Sequence, residues 1–237
     1  MNKIKTTYIL LIVITNWLIL TGLSLAFLYA PTEKTMGDVQ RIFYFHVPSA
    51  WVSFIAFFVV CIASIIFLKT GKEQWDRLAA CSAEIGVLFI VIVLITGPLW
   101  AKPVWGHYWT WDPRLTTSFV LFLIYVAYLM LRNYVANKER GARFAAVFGI
   151  IGFVDVPIVY MSIRWWKRGM HPEPVIAASS NSGLENGLES GLAPEMLTTL
   201  MFCLLAFTFL YITLLVLRYH SEGVYKEFQA LKHKLHN

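Results

Sequence analysis

WAKPVWGHYWTWDPR, residues 100–114, carries four tryptophans within twelve positions: Trp100, Trp105, Trp109 and Trp111. His107, Tyr108, Asp112 and Arg114 stand among them. A long apolar run leads in and another leads out, which predicts an aromatic, partly polar platform held between two membrane-crossing helices. Trp and Tyr also collect at membrane interfaces, where the ring stays apolar and its N–H or O–H finds a polar partner. A lone tryptophan would need no other explanation, but four beside an Asp and an Arg exceed what anchoring requires. Each can bury roughly 150–250 Å², worth at most about 4–6 kcal/mol at roughly 25 cal/mol per Å². The row is therefore expected to be covered by lipid or by the flat face of a large planar ligand. Pro103 and Pro113 bracket the stretch, so any helix within it is expected to be short. If it is helical, Trp105, Trp109 and Asp112 share a face at i, i+4 and i+7.

Outward from this stretch the chain is that of an integral membrane protein. Of its 237 residues 58% are hydrophobic and 14% charged, too little polar chain for a soluble domain of any size. The expected fold is all-α: one membrane domain, 1–237, with six transmembrane helices. Six runs can span a hydrocarbon core of roughly 30 Å: 8–29, 47–68, 78–99, 115–131, 144–163 and 196–217. The first is too long for a signal peptide and no clean cleavage site follows, so it reads as a retained span. Counted over alternate connections, one side carries 13 Lys and Arg and the other 7. The positive-inside rule then places both termini in the cytoplasm and the Trp-rich stretch on the outer face, periplasmic in a bacterium. The formal charge of +6 sits in short connections between apolar runs, so it signals topology and not nucleic-acid binding. Cys61, Cys81 and Cys203 all fall within spans and form no CxxC pair, which argues against thiol chemistry.

The outer connections, 30–46, 100–114 and 164–195, hold the candidate chemistry. His46 ends the first, followed by Val47 and Pro48; His171 lies in the third, in RWWKRGMHPEP. Each taken alone reads as an interfacial polar residue. Bracketing an aromatic platform on one membrane face, they become a candidate pair, because neutral imidazole is a good iron ligand and two can cap a porphyrin axially. His107 ranks third, as a lining residue; His220, His233 and His236 belong to a basic tail. Arg41, Arg114, Arg164, Lys167 and Arg168 run against the positive-inside trend. They suit the propionates of haem, or else snorkel to the interface and pair with nearby acids. Glu84 lies near the inner end of its span, where it can snorkel. Asp155, nearer mid-span and two residues before Pro157, reads as a local partner for backbone freed by the proline, with a proton relay as the rival. The second half of the third outer connection, rich in Ser, Gly and Asn, lacks the apolar content for a core and predicts a mobile loop with at most a short helix. No GxxxxGK[ST] phosphate loop occurs, and no nucleophile–base arrangement points to an enzyme.

WGHYWTWDPRL at 105–115 resembles the tryptophan-rich signature of the haem-handling proteins of cytochrome c biogenesis. RIFYFHVPSAW at 41–51 is similar to the stretch bearing that group's first outer histidine, and VPIVYMSIRWWKRGMHP at 156–172 to the one leading to its second. With six spans and this length, the chain resembles the haem exporter C family of cytochrome c maturation over about residues 8–217. The resemblance implies a carrier of haem b, bound transiently at the periplasmic side of the bacterial inner membrane. His46 and His171 would be its axial ligands, Trp100, Trp105, Trp109, Trp111 and Asp112 its platform, and Arg41 and Arg114 would take part in haem handling. It implies delivery to a periplasmic haem chaperone, and as further partners the ABC-type membrane and ATPase subunits of a maturation system and a small membrane accessory subunit, all within the lipid bilayer. Two features depart from the family: Asp155 stands where an uncharged Asn is expected, and the Ser/Gly-rich part of the third outer connection is less compact.

Two rival readings remain from the residues. A transmembrane haem permease would need polar or His-lined positions through the bilayer. A b-type electron-transfer cytochrome would need paired histidines within spans, and no histidine falls inside a predicted span.

Overall fold

The computed structural model of the protein describes residues 3–135, 137–166 and 192–236. Helix α1 (Lys3–Ser24) passes into a π-type turn, Leu25–Tyr29. A 3-10 turn, Asp38–Ile42, leads into α2 (Phe43–Thr70), followed by α3 (Glu73–Trp105) and α4 (Pro113–Tyr134). Then come α5 (Lys138–Phe153), α6 (Asp155–Trp166) and α7 (Pro194–His236). No strand forms among the described residues. Six segments are long and apolar enough to cross a membrane, α5 and α6 together making the fifth. In hydrocarbon a chain must satisfy its own backbone groups, and helices do so within each segment.

Apart from α1, which gives way to the π-type turn at Leu25, the spans outrun their apolar runs, because hydrogen bonding continues into polar residues that hydropathy does not count. The consequences fall on the first two outer connections. His46, expected in a loop, lies in the first turn of α2. Trp100 and Trp105 lie on α3, which runs through Pro98 and Pro103 and stops only at Gly106. Gly106 takes φ +80 and its N–H bonds the Lys102 carbonyl at 3.0 Å, a left-handed cap that side chains with a β-carbon resist. Residues 106–112 are not helical. The conditional face of Trp105, Trp109 and Asp112 therefore does not exist: the first ends a helix, and the other two lie beyond it.

The third outer connection is described only as far as Trp166 and again from residue 192. His171, Lys167, Arg168 and the short helix allowed for between them and α7 lie outside the described residues.

Helices α2 and α3 form the centre. Their closest approach is at Gly86, where a β-carbon would stand 2.5 Å from Phe57 Cε1. A small residue here lets the helices meet, the usual device for packing in lipid. Phe57 stacks on Tyr125 of α4 with centroids 3.7 Å apart, and Tyr125 donates to the Gly149 carbonyl of α5 at 3.1 Å. Helix α1 is peripheral and leans on α7, with Thr15 and Thr213 hydrogen bonded at 2.7 Å. Tyr8 of α1 meets His220 of α7 at one end of the bundle, with ring centroids 5.2 Å apart; the Trp-rich stretch is at the other.

Charges within the helices are paired where sequence alone showed them singly. Glu84 accepts from Arg218 at 2.6 and 3.1 Å. Asp76 and Arg132, fifty-six residues apart, form a two-pronged pair, Nη2 to Oδ2 at 2.8 Å and Nη1 to Oδ1. The break between α5 and α6 falls at Phe153, four residues before Pro157, whose missing N–H strips that carbonyl of its helical donor. Asp155 follows the break, but its Oδ2 is buried and meets no hydrogen-bond partner, so this oxygen does not serve the freed backbone as expected.

Candidate functional site

His46 is the best-defined member of the Trp-rich end. It is 8% exposed, and its Nδ1 lies 2.9 Å from Thr96 Oγ1 on α3. Thr96 donates its one hydroxyl proton to the Ile92 carbonyl, 2.7 Å away in its own helix. Its oxygen is therefore the acceptor in the other bond, and Nδ1 must carry the imidazole proton. In the neutral ring the basic nitrogen is then Nε2. A ring nitrogen prepared in this way, with the opposite N–H tied to an oriented acceptor, is the usual arrangement of a histidine that ligates metal.

The ring is also held by shape. A β-carbon on Gly97 would lie 3.3 Å from His46 Cε1, so the imidazole rests against bare backbone. Trp100 meets the ring edge-on, 5.8 Å between centroids at 68°, and Phe43 meets Trp100 at 5.9 Å. Consecutive turns of α3, through Thr96, Gly97 and Trp100, thus make the bed of one side chain from α2.

The other indoles form a second group. Trp109 packs against Trp111 at 5.5 Å and 81°, and against Phe119 of α4 at 6.3 Å. Trp111 is 73% exposed, and Tyr108 beside it is exposed too. Lys102 donates to the Gly106 carbonyl at 2.8 Å and reaches over the Tyr108 ring. Trp105 is half-buried at the end of α3, and His107 is exposed.

Asp112 and the two arginines have local partners. Asp112 is the N-cap of α4: its Oδ1 accepts from the backbone N–H of Arg114 at 2.9 Å and Leu115 at 3.0 Å, with Thr110 donating to Oδ2 at 3.2 Å. Pro113 follows at the first helical position, where its missing N–H costs nothing. Arg114 donates to the Tyr160 carbonyl of α6 at 3.1 Å. Arg41 donates Nη1 to the carbonyls of Ala26 and Ala30, Nη2 to Thr32 and Nε to Asp38 at 3.2 Å. It collects the chain where α1 unwinds, satisfying carbonyls that a helix end leaves open.

Among the described residues, Trp100 Nε1, Trp109 Nε1, Arg114 Nε and the Tyr44 hydroxyl are buried at this end without a protein hydrogen-bond partner, as is the acceptor Gln40 Oε1. Native structures leave few such groups. No cluster of three His, Cys, Asp or Glu gathers among the described residues.

Sequence reasoning passed over Thr96 and Gly97. A threonine inside an apolar run has an adequate local account, and only the register of α2 on α3 brings it to His46. For Asp112 the signal was present, since Asp followed by Pro opens many helices.

A family model described as haem exporter protein C matches residues 1–234. A haem exporter protein C from Bradyrhizobium diazoefficiens is 34% identical over 203 residues, 86% of this chain and 74% of the relative. One from Haemophilus influenzae is 34% identical over 194 residues, 82% and 75% of the two chains. A ccmC-like mitochondrial protein of cytochrome c biosynthesis from Marchantia polymorpha is 36% identical over 146 residues, 62% and 61%.

Proposed function

This chain belongs to the haem exporter protein C family, and we propose that it is a multi-pass protein of the bacterial inner membrane that holds haem at its Trp-rich end for cytochrome c maturation. His46 is one axial ligand, through Nε2, and His171 the other. The indoles of Trp100, Trp105, Trp109 and Trp111 supply the shelf on which the macrocycle lies. The cargo is haem b, held transiently and passed to a periplasmic haem chaperone. An ABC-type complex with a small membrane accessory subunit supplies the energy for release, since the chain has no phosphate-binding loop. Its own work is binding and orientation, not catalysis.

The observation that carries this reading is the tautomer of His46. A histidine that serves only packing has no need of its Nδ1 proton being fixed by a threonine whose own proton is already committed. Asp112 contributes by shaping the platform: it starts α4 and so sets where Trp109 and Trp111 leave the bundle. Arg114, with one buried nitrogen to spare, suits a propionate better than Arg41, whose donors serve the first outer turn. The rival of a b-type cytochrome gains nothing from the fold, because His46 is at a helix end, His107 in a connection and His220 at the opposite end.

The test is haem content. Wild type, His46→Ala, His171→Ala and the double variant are purified from cells making haem, and their absorption spectra are compared. The double variant is expected to lose six-coordinate haem; full retention would sink the axial assignment.

A further inference from the structure

At the opposite end of the bundle, two adjoining grooves share Arg77 and Gly223. One, of about 690 Å³, is lined by Tyr8, Trp75, Leu78, Leu215 and Val216. The other, of about 710 Å³, is lined by Glu73, Lys138, Glu222 and Lys226. The first is mostly apolar, with Gln74, His220 and Glu227 also on its wall, the second is charged, and the guanidinium of Arg77 borders both.

Arg77 has no carboxylate partner among the described residues. Nearby, Asp76 pairs with Arg132 and Glu73 with Lys226, while Glu84 and Glu222 share Arg218. Its guanidinium carbon lies 4.0 Å from the centroid of the Tyr219 ring. It can lie so close to α7 because Gly223 has no side chain; a β-carbon there would sit 2.9 Å from Nη1. Nε is buried and has no hydrogen-bond partner. A cation set this firmly, one turn inside the start of a membrane-crossing helix and in ion-pair contact with no carboxylate among the described residues, has donors to offer an anion. Glu227, on the lip shared by both grooves, is exposed, where water and salt screen it.

We propose that Arg77 holds the phosphate of an anionic phospholipid, whose headgroup occupies the charged groove and whose acyl chain runs along Leu78, Leu215 and Val216. Tyr8, Trp75 and Tyr219 form the aromatic collar found at headgroup level. Basic pockets between helices at the cytoplasmic surface take anionic lipids for this reason, and the excess of Lys and Arg at this end predicts that it faces the cytoplasm. A free phosphate would meet the same guanidinium but leave the apolar groove unfilled.

Delipidated protein in detergent is titrated with phosphatidylglycerol, phosphatidylcholine and glycerol 3-phosphate, with bound ligand read by native mass spectrometry and unfolding temperature by a thermal scan. Wild type is expected to retain one phosphatidylglycerol in preference to phosphatidylcholine and to be stabilised by it. Arg77→Gln removes the charge, and Val216→Trp fills the apolar groove while keeping Arg77. Each is expected to weaken phosphatidylglycerol binding by at least about tenfold, the scale of one charge-assisted hydrogen bond or of a blocked acyl site. The proposal is overturned if phosphatidylcholine binds wild type as tightly, if glycerol 3-phosphate alone stabilises as much, or if a folded Val216→Trp or Arg77→Gln binds phosphatidylglycerol like wild type.

Discussion

Replacing Thr96 by Val removes one hydroxyl, keeps the shape of the side chain, and leaves His46 in place on α2. The Nδ1 proton loses its acceptor at 2.9 Å inside a site where the residue is 8% exposed. A buried donor left unpaired costs about 1–3 kcal/mol. The ring can escape that cost by moving its proton to Nε2 or by turning, and either change withdraws the lone pair that would bind iron. Loss of an outer partner of a metal-bound histidine weakens binding about 10–100-fold, which is about 1.4–2.7 kcal/mol. The assay is haemin titration of purified protein, followed by the Soret band and the fraction of low-spin haem, and by transfer to an apo-globin acceptor. Thr96→Val should bind 10–100-fold more weakly on that scale and give up haem faster, while Thr96→Ser, which restores the acceptor, stays near wild type. A cycle separates ligand control from general damage: in a His46→Ala background, Thr96→Val should add nothing further. The reasoning is refuted if Thr96→Val binds haem within about twofold of wild type with an unchanged spectrum, or if the two substitutions add in full.

Gly97→Ala should displace the imidazole, since the new carbon falls 3.3 Å from Cε1; the expected sign is a shifted Soret maximum with little change in unfolding temperature. Asp112→Ala removes the acceptor of two backbone N–H groups and should cost about 1 kcal/mol of stability, read as a lower thermal midpoint, whereas Asp112→Asn, a comparable cap, should recover most of it. Arg132→Met strands Asp76 in the bundle and should cost about 3–5 kcal/mol, seen as sharply reduced yield of folded protein; adding Asp76→Leu should restore it.

How far the sequence could be read depended on the range of the interaction. The six spans were legible because hydrocarbon imposes length and composition on each helix by itself. The ends were not, because polar residues such as Lys102 and Arg132 continue a helix after hydropathy has fallen. The aromatic stretch was visible as a cluster, but its geometry was decided by Gly106, a single position that can take φ +80, and by the Asp112–Pro113 start of α4. Nothing local distinguishes Asp76 or Arg132 from a solvated charge; their pairing exists only after α3 and α4 have met. The same holds for Thr96.

At the Trp-rich end most of the unpaired buried groups can donate: two indole N–H, the Nε of Arg114 and the Tyr44 hydroxyl, beside the Gln40 Oε1, an acceptor. Against Trp100 stands an imidazole whose Nδ1 faces Thr96. Such a set asks for a ligand with an electron-pair acceptor at its centre and hydrogen-bond acceptors on its rim. Lipid tails offer neither, and a bare metal ion offers only the first. An iron porphyrin has both, in its metal and its carboxylates, and its flat apolar body matches the indoles between. The proposed function therefore takes the aromatic platform, the tautomer of one histidine and the buried polar groups together, as the setting of a single ligand, where anchors, packing and defects would be three separate accounts.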